Sequence, residues 1–335
     1  MKIIALNGFG RIGKSFLRVV LSDVEARKQL KIAVINVGKG DPQAAAFAFK
    51  YDTLMGTYPQ DVWFEEGKLH VGAISIPVIS ELDPTKAPWK SYGINWVVEA
   101  TGRFTTREEA QKHLQAGAQA VLITAPSKGE DVTLVPGVNM ELFDTTQHKI
   151  VSLGSCTTNA LFTMMKVLQD MFGLERVFMT TVHAYTNTQA LLDVDATIKD
   201  LRRGRAAALN IVPTTTGAME VIGKIFPHLV GKVIGVSLRV PVAKVSLIDL
   251  TAVLSSPVSK EEVNMAFQVA AQGRLKGILA FTLEPLVSSD YNNNAHSAIV
   301  DGLMTEVQGD VCKVFGWYDN EWAYAVRLKD FLLEA

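Results

Sequence analysis

At 335 residues the chain exceeds what one hydrophobic core usually serves, so two packed units, or one large one, are expected and a small stapled module is excluded. Apolar residues make up 48% and charged residues 20%, an ordinary globular composition that leaves no room for extended disorder or a collagen-like repeat. Lys and Arg number 33 against 34 Asp and Glu, a formal charge of −1, which argues against a nucleic-acid footprint or an anionic-membrane surface.

Met1-Lys2 opens a short apolar run that reaches glycine by position 8 without a cleavage pattern, so no secretory signal is expected. No apolar stretch approaches the ~20 residues of a membrane-spanning helix, and a cytoplasmic location is expected. The two cysteines, Cys156 and Cys312, exclude a disulfide framework or a cysteine-rich zinc site and favour a reducing compartment; no metal centre is expected.

The run Ile3 to Asn7 predicts a strand, and apolar residues at helical spacing from Ile12 to Leu21 predict a helix after a tight turn. Strands are predicted again at 31–36, 95–99, 120–124 and 150–152, with a helix at 107–116. This alternation predicts parallel crossover units in a doubly wound sheet. After Cys156 a helix is predicted at 160–171, then longer strands at 177–183, 235–240, 244–255 and 311–318, which predict a largely antiparallel second unit. Residues 320–333 have helical composition and are expected to dock as the last helix. The fold class is therefore α/β, an N-terminal Rossmann-type doubly wound sheet with a C-terminal α+β catalytic domain. The expected bounds are 1–155, completed by 320–335, and 156–319.

Gly8, Gly10 and Gly13 in Gly8-Phe9-Gly10-Arg11-Ile12-Gly13 match the dinucleotide fingerprint in its required setting, between a strand and a helix. The glycines permit a tight turn and close backbone approach to a pyrophosphate, and the helix N-terminus supplies free N–H groups. A carboxylate usually follows the second strand to bind the adenosine ribose, but here the order is Asn36, Val37, Gly38, Lys39. Two readings stand. Lys39 pairs with the 2′-phosphate of NADP, or Asp41, displaced by a longer loop, reaches the ribose of NAD and Lys39 is a solvated charge.

Cys156 lies where a strand has ended and a helix is about to begin, a setting that favours the thiolate and lowers the thiol pKa. Cys312, in the strand-like run 311–314, reads as a buried small apolar residue. His183, 27 residues after Cys156, ends an apolar strand; placed beside the thiol it would form a nucleophile and base pair, but on spacing alone a hydrogen-bonded structural histidine is the better reading.

Along its whole length the chain resembles the phosphorylating glyceraldehyde-3-phosphate dehydrogenases. The matching segments are Asn7 to Gly13, Lys50-Tyr51-Asp52, Glu99 to Gly102, Ser155 to Asn159, His183 to Asn187, Leu201 to Ala207, Pro213 to Ala218, Arg239-Val240-Pro241 and Trp317 to Glu321. The resemblance implies that Cys156 attacks an aldehyde, that His183 is the base, and that an acyl thioester is cleaved by inorganic phosphate. It assigns Thr186 and Arg239 to the substrate phosphate, Ser155, Thr157, Thr216 and Gly217 to the attacking phosphate, and Arg202 to the vicinity of both. Arg11 and Ile12 are expected behind the pyrophosphate, Asn36, Val37 and Lys39 at the adenosine end, and Thr101 and Thr124 beside the cofactor at strand ends. Asn320 is expected to hold the nicotinamide carboxamide and Tyr324 to flank the ring. NAD or NADP is the implied cofactor, and a homotetramer using segment 183–210 is the implied assembly. Thr188 stands where Asp is common in the family and Ala160 where a second Cys is common. Two rivals are weighed: an erythrose-4-phosphate dehydrogenase, which segment 294–302 resembles, and a non-catalytic nucleotide-binding protein with a moonlighting role.

Overall fold

The computed structural model describes residues 1–195 and 198–335. It divides the chain into two units: residues 1–134, 141–154 and 325–335, and residues 135–140 and 155–324. The division falls one residue before the expected break at 155/156. It differs further in giving Val135–Met140 and residues 320–324 to the second unit, so the C-terminal helix serves the first unit only from Ala325.

The first unit contains the strands β1 (Lys2–Asn7), β2 (Leu30–Asn36), β3 (Val62–Glu65), β4 (Lys68–Val71), β5 (Ile74–Ile79), β6 (Trp96–Glu99), β7 (Ala120–Ile123), β8 (Val132–Thr133) and β9 (Ile150–Ser152). Its helices are α1 (Arg11–Ser22), α2 (Val24–Gln29), α3 (Pro42–Lys50), α4 (Trp89–Tyr92) and α5 (Arg107–Gln115). The sheet order is β3-β4-β5-β2-β1-β6-β7-β9-β8. From β5 to β8 every pairing is parallel, as the strand–helix alternation predicts. The chain leaves β1 toward β2 on one side and later returns as β6 on the other. The carboxyl ends of β1, β2 and β6 therefore bound a topological switch point, where ligands of such sheets bind. The antiparallel meander β3-β4-β5 was not foreseen, because its short strands carry charges and half-exposed residues.

The second unit contains α6 (Cys156–Phe172), β10 (Leu174–Ala184), β11 (Val212–Thr214), α7 (Ile222–Ile225), β12 (Val233–Val240), β13 (Ser246–Leu254), α8 (Lys260–Gln272), β14 (Leu279–Thr282), β15 (Ala298–Gln308) and β16 (Val311–Tyr318). Helix α9 (Trp322–Glu334) begins in it and continues in the first unit. The sheet order is β11-β12-β10-β13-β16-β15-β14, antiparallel except for β10/β12 and β14/β15. Along β13 buried and half-buried residues alternate strictly, the signature of one covered sheet face. That face packs Ile248, Leu250, Ala252 and Val314 against Leu161, Met165 and Leu168 of α6 and Phe267 of α8 in one continuous core. Burying each Leu or Phe side chain of this kind stabilises by roughly 1.5–3 kcal/mol. Helix α6 starts four residues before the expected 160 because Ser155 caps it, its hydroxyl accepting from the Thr158 N–H at 3.1 Å.

Candidate active site

Strand register brings the reactive pair together. In the parallel pair β10/β12, His183 lies opposite Arg239, and α6 presents Cys156 at its first position. The Cys156 Sγ lies 3.6 Å from His183 Nε2. On the other side of the ring, Nδ1 is 2.6 Å from the Ala184 carbonyl oxygen, which can only accept. A hydrogen on Nδ1 satisfies that oxygen and leaves the Nε2 lone pair facing the thiol, the tautomer a base requires. The nearest Arg239 guanidinium nitrogen is 2.8 Å from Nδ1 and 3.3 Å from the Ala184 oxygen; with Nδ1 protonated it donates to the carbonyl and sets its charge beside the ring. Burial first, and the Arg239 charge next, hold the His183 pKa down to about 3, so the imidazole is neutral at physiological pH.

The thiol departs from expectation. Burial pushes Cys156 up, although Arg239 and the Thr157 hydroxyl and N–H groups around the sulfur pull the other way. The lowered value expected at the helix N-terminus is thus reversed in the free protein: neutral thiol faces neutral imidazole, and the proton moves when the sulfur attacks. Cys312 is fully buried in β16 and pushed up to about 11 by burial, an inert core thiol as expected.

Several of the residues expected at the anion sites lie around this pair, Arg239 in contact with the His183 ring. Thr186 Oγ1 bonds Thr188 Oγ1 at 2.9 Å, which in turn accepts from the Arg203 guanidinium at 3.2 Å. Arg203, with an ion pair to Asp200, also contributes to lowering the His183 pKa, whereas Arg202 is exposed. The charge felt by the His183 ring thus comes from Arg203, the chain neighbour of Arg202. Thr216 caps the short 3₁₀ turn Gly217–Val221, its Oγ1 accepting weakly from Ala218 N at 3.4 Å. The Ser155 hydroxyl is engaged as the α6 cap, and the Thr157 hydroxyl bonds the Tyr318 hydroxyl at 2.9 Å, which also bonds Thr181 at 2.8 Å. Tyr318 packs edge-on to His183 with centroids 6.0 Å apart; the sequence reading missed it, since an aromatic in a strand signals core first. Of segment 183–210, Ala196 and Thr197 lie outside the described residues.

In the first unit the glycine turn has the shape a pyrophosphate needs. Gly8 has φ 97°, and a Cβ there would lie 2.7 Å from the Thr101 nitrogen; one at Gly13 would lie 2.2 Å from the Gly8 oxygen. At Gly10 a Cβ would meet nothing within 4 Å, and Gly10 caps α1 without a side-chain bond, so the helix N-terminus opens onto free space. Ile12, in the first turn of α1, is half-buried. The Arg11 side chain is paired with buried Asp52, so this end of α1 is braced against α3 and the loop after it. At the switch point Glu99 accepts from Asn7 at 2.6 Å and from the Thr101 N–H at 2.8 Å, and Thr124 donates to the Glu99 carbonyl at 3.0 Å. Asn36 donates to Asn7 at 2.7 Å and accepts from Gly38 and Glu81. Asp41 caps α3 by accepting from Ala44 at 2.9 Å through one carboxylate oxygen and is exposed, Glu81 accepts from Leu82 and Asp83, Val37 is half-buried and Lys39 exposed, so both readings of the adenosine end stand. In the second unit, Asn320 Oδ1 accepts from Ser246 at 3.3 Å, and its Nδ2 has no partner among the described residues. Tyr324 is buried, its hydroxyl pKa raised by burial and by the nearby Cys156. The open glycine turn of the first unit fits the pyrophosphate of a dinucleotide.

Comparison with known proteins agrees with this geometry. Residues 2–107 match the family model "Glyceraldehyde 3-phosphate dehydrogenase, NAD binding domain", and residues 155–320 match "Glyceraldehyde 3-phosphate dehydrogenase, C-terminal domain". The chain is 47% identical to glyceraldehyde-3-phosphate dehydrogenase 2 of Bacillus subtilis over 99% of its own length and 96% of the relative's. It is 46% identical to the glyceraldehyde-3-phosphate dehydrogenases of Geobacillus stearothermophilus and Mycobacterium avium, over 98% of this chain and 96% and 97% of theirs. With both family domains matched in order and relatives 46–47% identical over nearly the whole length, the chain belongs to the glyceraldehyde-3-phosphate dehydrogenase family.

Proposed function

We propose that this chain oxidises glyceraldehyde 3-phosphate with inorganic phosphate to 1,3-bisphosphoglycerate, a glycolytic step or its reverse. The observation that carries the reading is the 3.6 Å contact between Cys156 Sγ and the unprotonated Nε2 of His183. As the S–C bond to the aldehyde carbon forms, the thiol proton passes to Nε2 and then to the new alkoxide, giving a thiohemiacetal. A bound nicotinamide dinucleotide supplies the hydride acceptor. His183 takes the hydroxyl proton as the carbon is oxidised, leaving a thioester on Cys156, and phosphate attack releases the acyl phosphate and restores the sulfur. Arg239 and Arg203 provide fixed positive charge for the anions.

The adenosine end supports NADP as well as NAD. Position 37 carries valine and no carboxylate, and Lys39 stands exposed on the adjoining turn, while Asp41, the cap of α3, keeps its negative charge nearby. An assembly of four copies is also part of this reading, since the second unit leaves apolar residues of its sheet exposed. Both cysteines are free thiols, which fits a reducing, cytoplasmic setting.

The test is phosphate-dependent reduction of NAD and of NADP with glyceraldehyde 3-phosphate, with Cys156→Ser as control. The reading expects activity that Cys156→Ser lowers at least about 10³-fold. Higher kcat/KM for erythrose 4-phosphate would replace the substrate. A Lys39→Ala variant is expected to lower kcat/KM for NADP about tenfold and leave NAD unchanged; equal effects on both would remove Lys39 from the ribose site.

A further inference from the structure

A buried ion pair sits directly against Asn320. The Lys244 ammonium lies 3.0 Å from Asp319 Oδ2, with both side chains almost wholly buried. The two residues flank paired strands: Lys244 and Val245 precede β13, Asp319 and Asn320 follow β16, and Ser246 is in register with Tyr318. Lys244 also donates to Asn293 Oδ1 at 2.6 Å, while the Asn293 N–H donates to Asp319 Oδ2 at 2.8 Å, closing a three-membered ring of contacts. The other carboxylate oxygen accepts from the N–H groups of Glu321 and Trp322 at 3.0 and 2.9 Å, fixing the backbone on the far side of Asn320.

Two strained residues are part of the same cluster. Val245 has φ 67° and Asn293 φ 61°. For a β-branched residue this region is a true outlier, and it persists only where the surroundings over-determine it. A stability role alone explains the pair poorly, because well-packed apolar residues stabilise a core at least as well as buried charges.

A chain of hydrogen bonds leads from Asn320, the neighbour of Asp319, to the reactive pair. The Ala184 N–H donates to Ser246 Oγ at 3.0 Å, so the hydroxyl hydrogen is free to donate to Asn320 Oδ1. That orients the Asn320 amide and turns its Nδ2 donor outward, while the carbonyl of the same Ala184 holds His183 Nδ1.

We propose that Lys244 and Asp319 are positioning residues that hold Asn320 ready for the carbonyl oxygen of the nicotinamide carboxamide. The inference rests on the reading of Asn320 as the carboxamide anchor. It is tested by calorimetric titration of the intact protein with NAD and with ADP-ribose, which lacks the nicotinamide. NADP and 2′-phospho-ADP-ribose are used instead if they bind tighter. Lys244→Met is expected to weaken NAD about tenfold, the scale of one misplaced hydrogen bond, and ADP-ribose less than about twofold. Equal weakening of both ligands, or no change in either, overturns the inference. If Lys244→Met fails to fold because Asp319 is left as a lone buried charge, the double variant Lys244→Met with Asp319→Asn removes both charges and is judged by the same two affinities. Asn320→Ala is the reference. Unchanged binding of both ligands there removes the carboxamide reading itself, whereas selective loss in Asn320→Ala without loss in Lys244→Met removes only the positioning role.

Discussion

His183 enters catalysis uncharged, and that has a cost in acid. In an unfolded chain its pKa is about 6.5, whereas burial and Arg239 hold it down to about 3 in the fold. Between those values the unfolded state binds more protons, so this contribution to stability is fully present above about pH 6.5 and is lost as the pH falls toward 3. The loss of Tm between pH 7 and pH 4 should therefore be smaller in His183→Asn than in the parent; identical losses would show that the imidazole is not held neutral. The sulfur titrates in the opposite region. Because burial raises Cys156, its alkylation by iodoacetamide in the free protein should still be accelerating above pH 9, and a plateau by pH 7 would mean a pre-formed thiolate. Only one thiol should react in the native state, since Cys312 has no exposed surface. Cys156 stood out in the sequence as a cysteine between a strand and a helix, whereas His183 was singled out only by the family resemblance, since spacing alone favours a structural histidine. The direction of the thiol shift was not legible, because burial is a property of the packed neighbours and not of the helix terminus alone.

At the scale of elements, the glycine turn separates a packing requirement from a binding one. A methyl group at Gly13 would collide with the Gly8 carbonyl, where α1 crosses close to its own turn, while one at Gly10 meets only open space. Gly13→Ala should destabilise the protein by about 1–3 kcal/mol or more in urea unfolding. Gly10→Ala should unfold within about 1 kcal/mol of the parent yet bind dinucleotide at least about tenfold more weakly, because the methyl occupies the approach to the α1 N-terminus. A Gly10→Ala protein with unchanged affinity would place the pyrophosphate elsewhere. Such elements were readable because strand, glycines and helix follow one another within a dozen residues. The meander β3-β4-β5 and the helix α8 were not, since the meander exposes half of each strand and α8 shows only a modest apolar stripe among polar residues.

At the scale of the molecule, the sheet of the second unit is covered on one face only. Val177 and Met179 of β10 point into the core with α6 and α8, while Phe178 between them is 47% exposed. Its partner in register, Ile234, is 60% exposed, and Val236, one step along β12, is 46% exposed. A sheet face that met water permanently would carry polar residues at these positions, so this apolar strip is the surface the proposed assembly would use. The matching surface on a second copy is the occupant that symmetry supplies, with like strips meeting across a twofold axis. Replacing Ile234 by Lys puts an unpaired charge at the centre of that contact, which costs several kcal/mol across an interface and much less on a monomer's surface. Sedimentation velocity at micromolar concentration should show the parent as a tetramer and Ile234→Lys as a smaller species with the same circular dichroism. A parent that sediments as a monomer would leave the strip without a partner and remove the assembly from this reading of the chain.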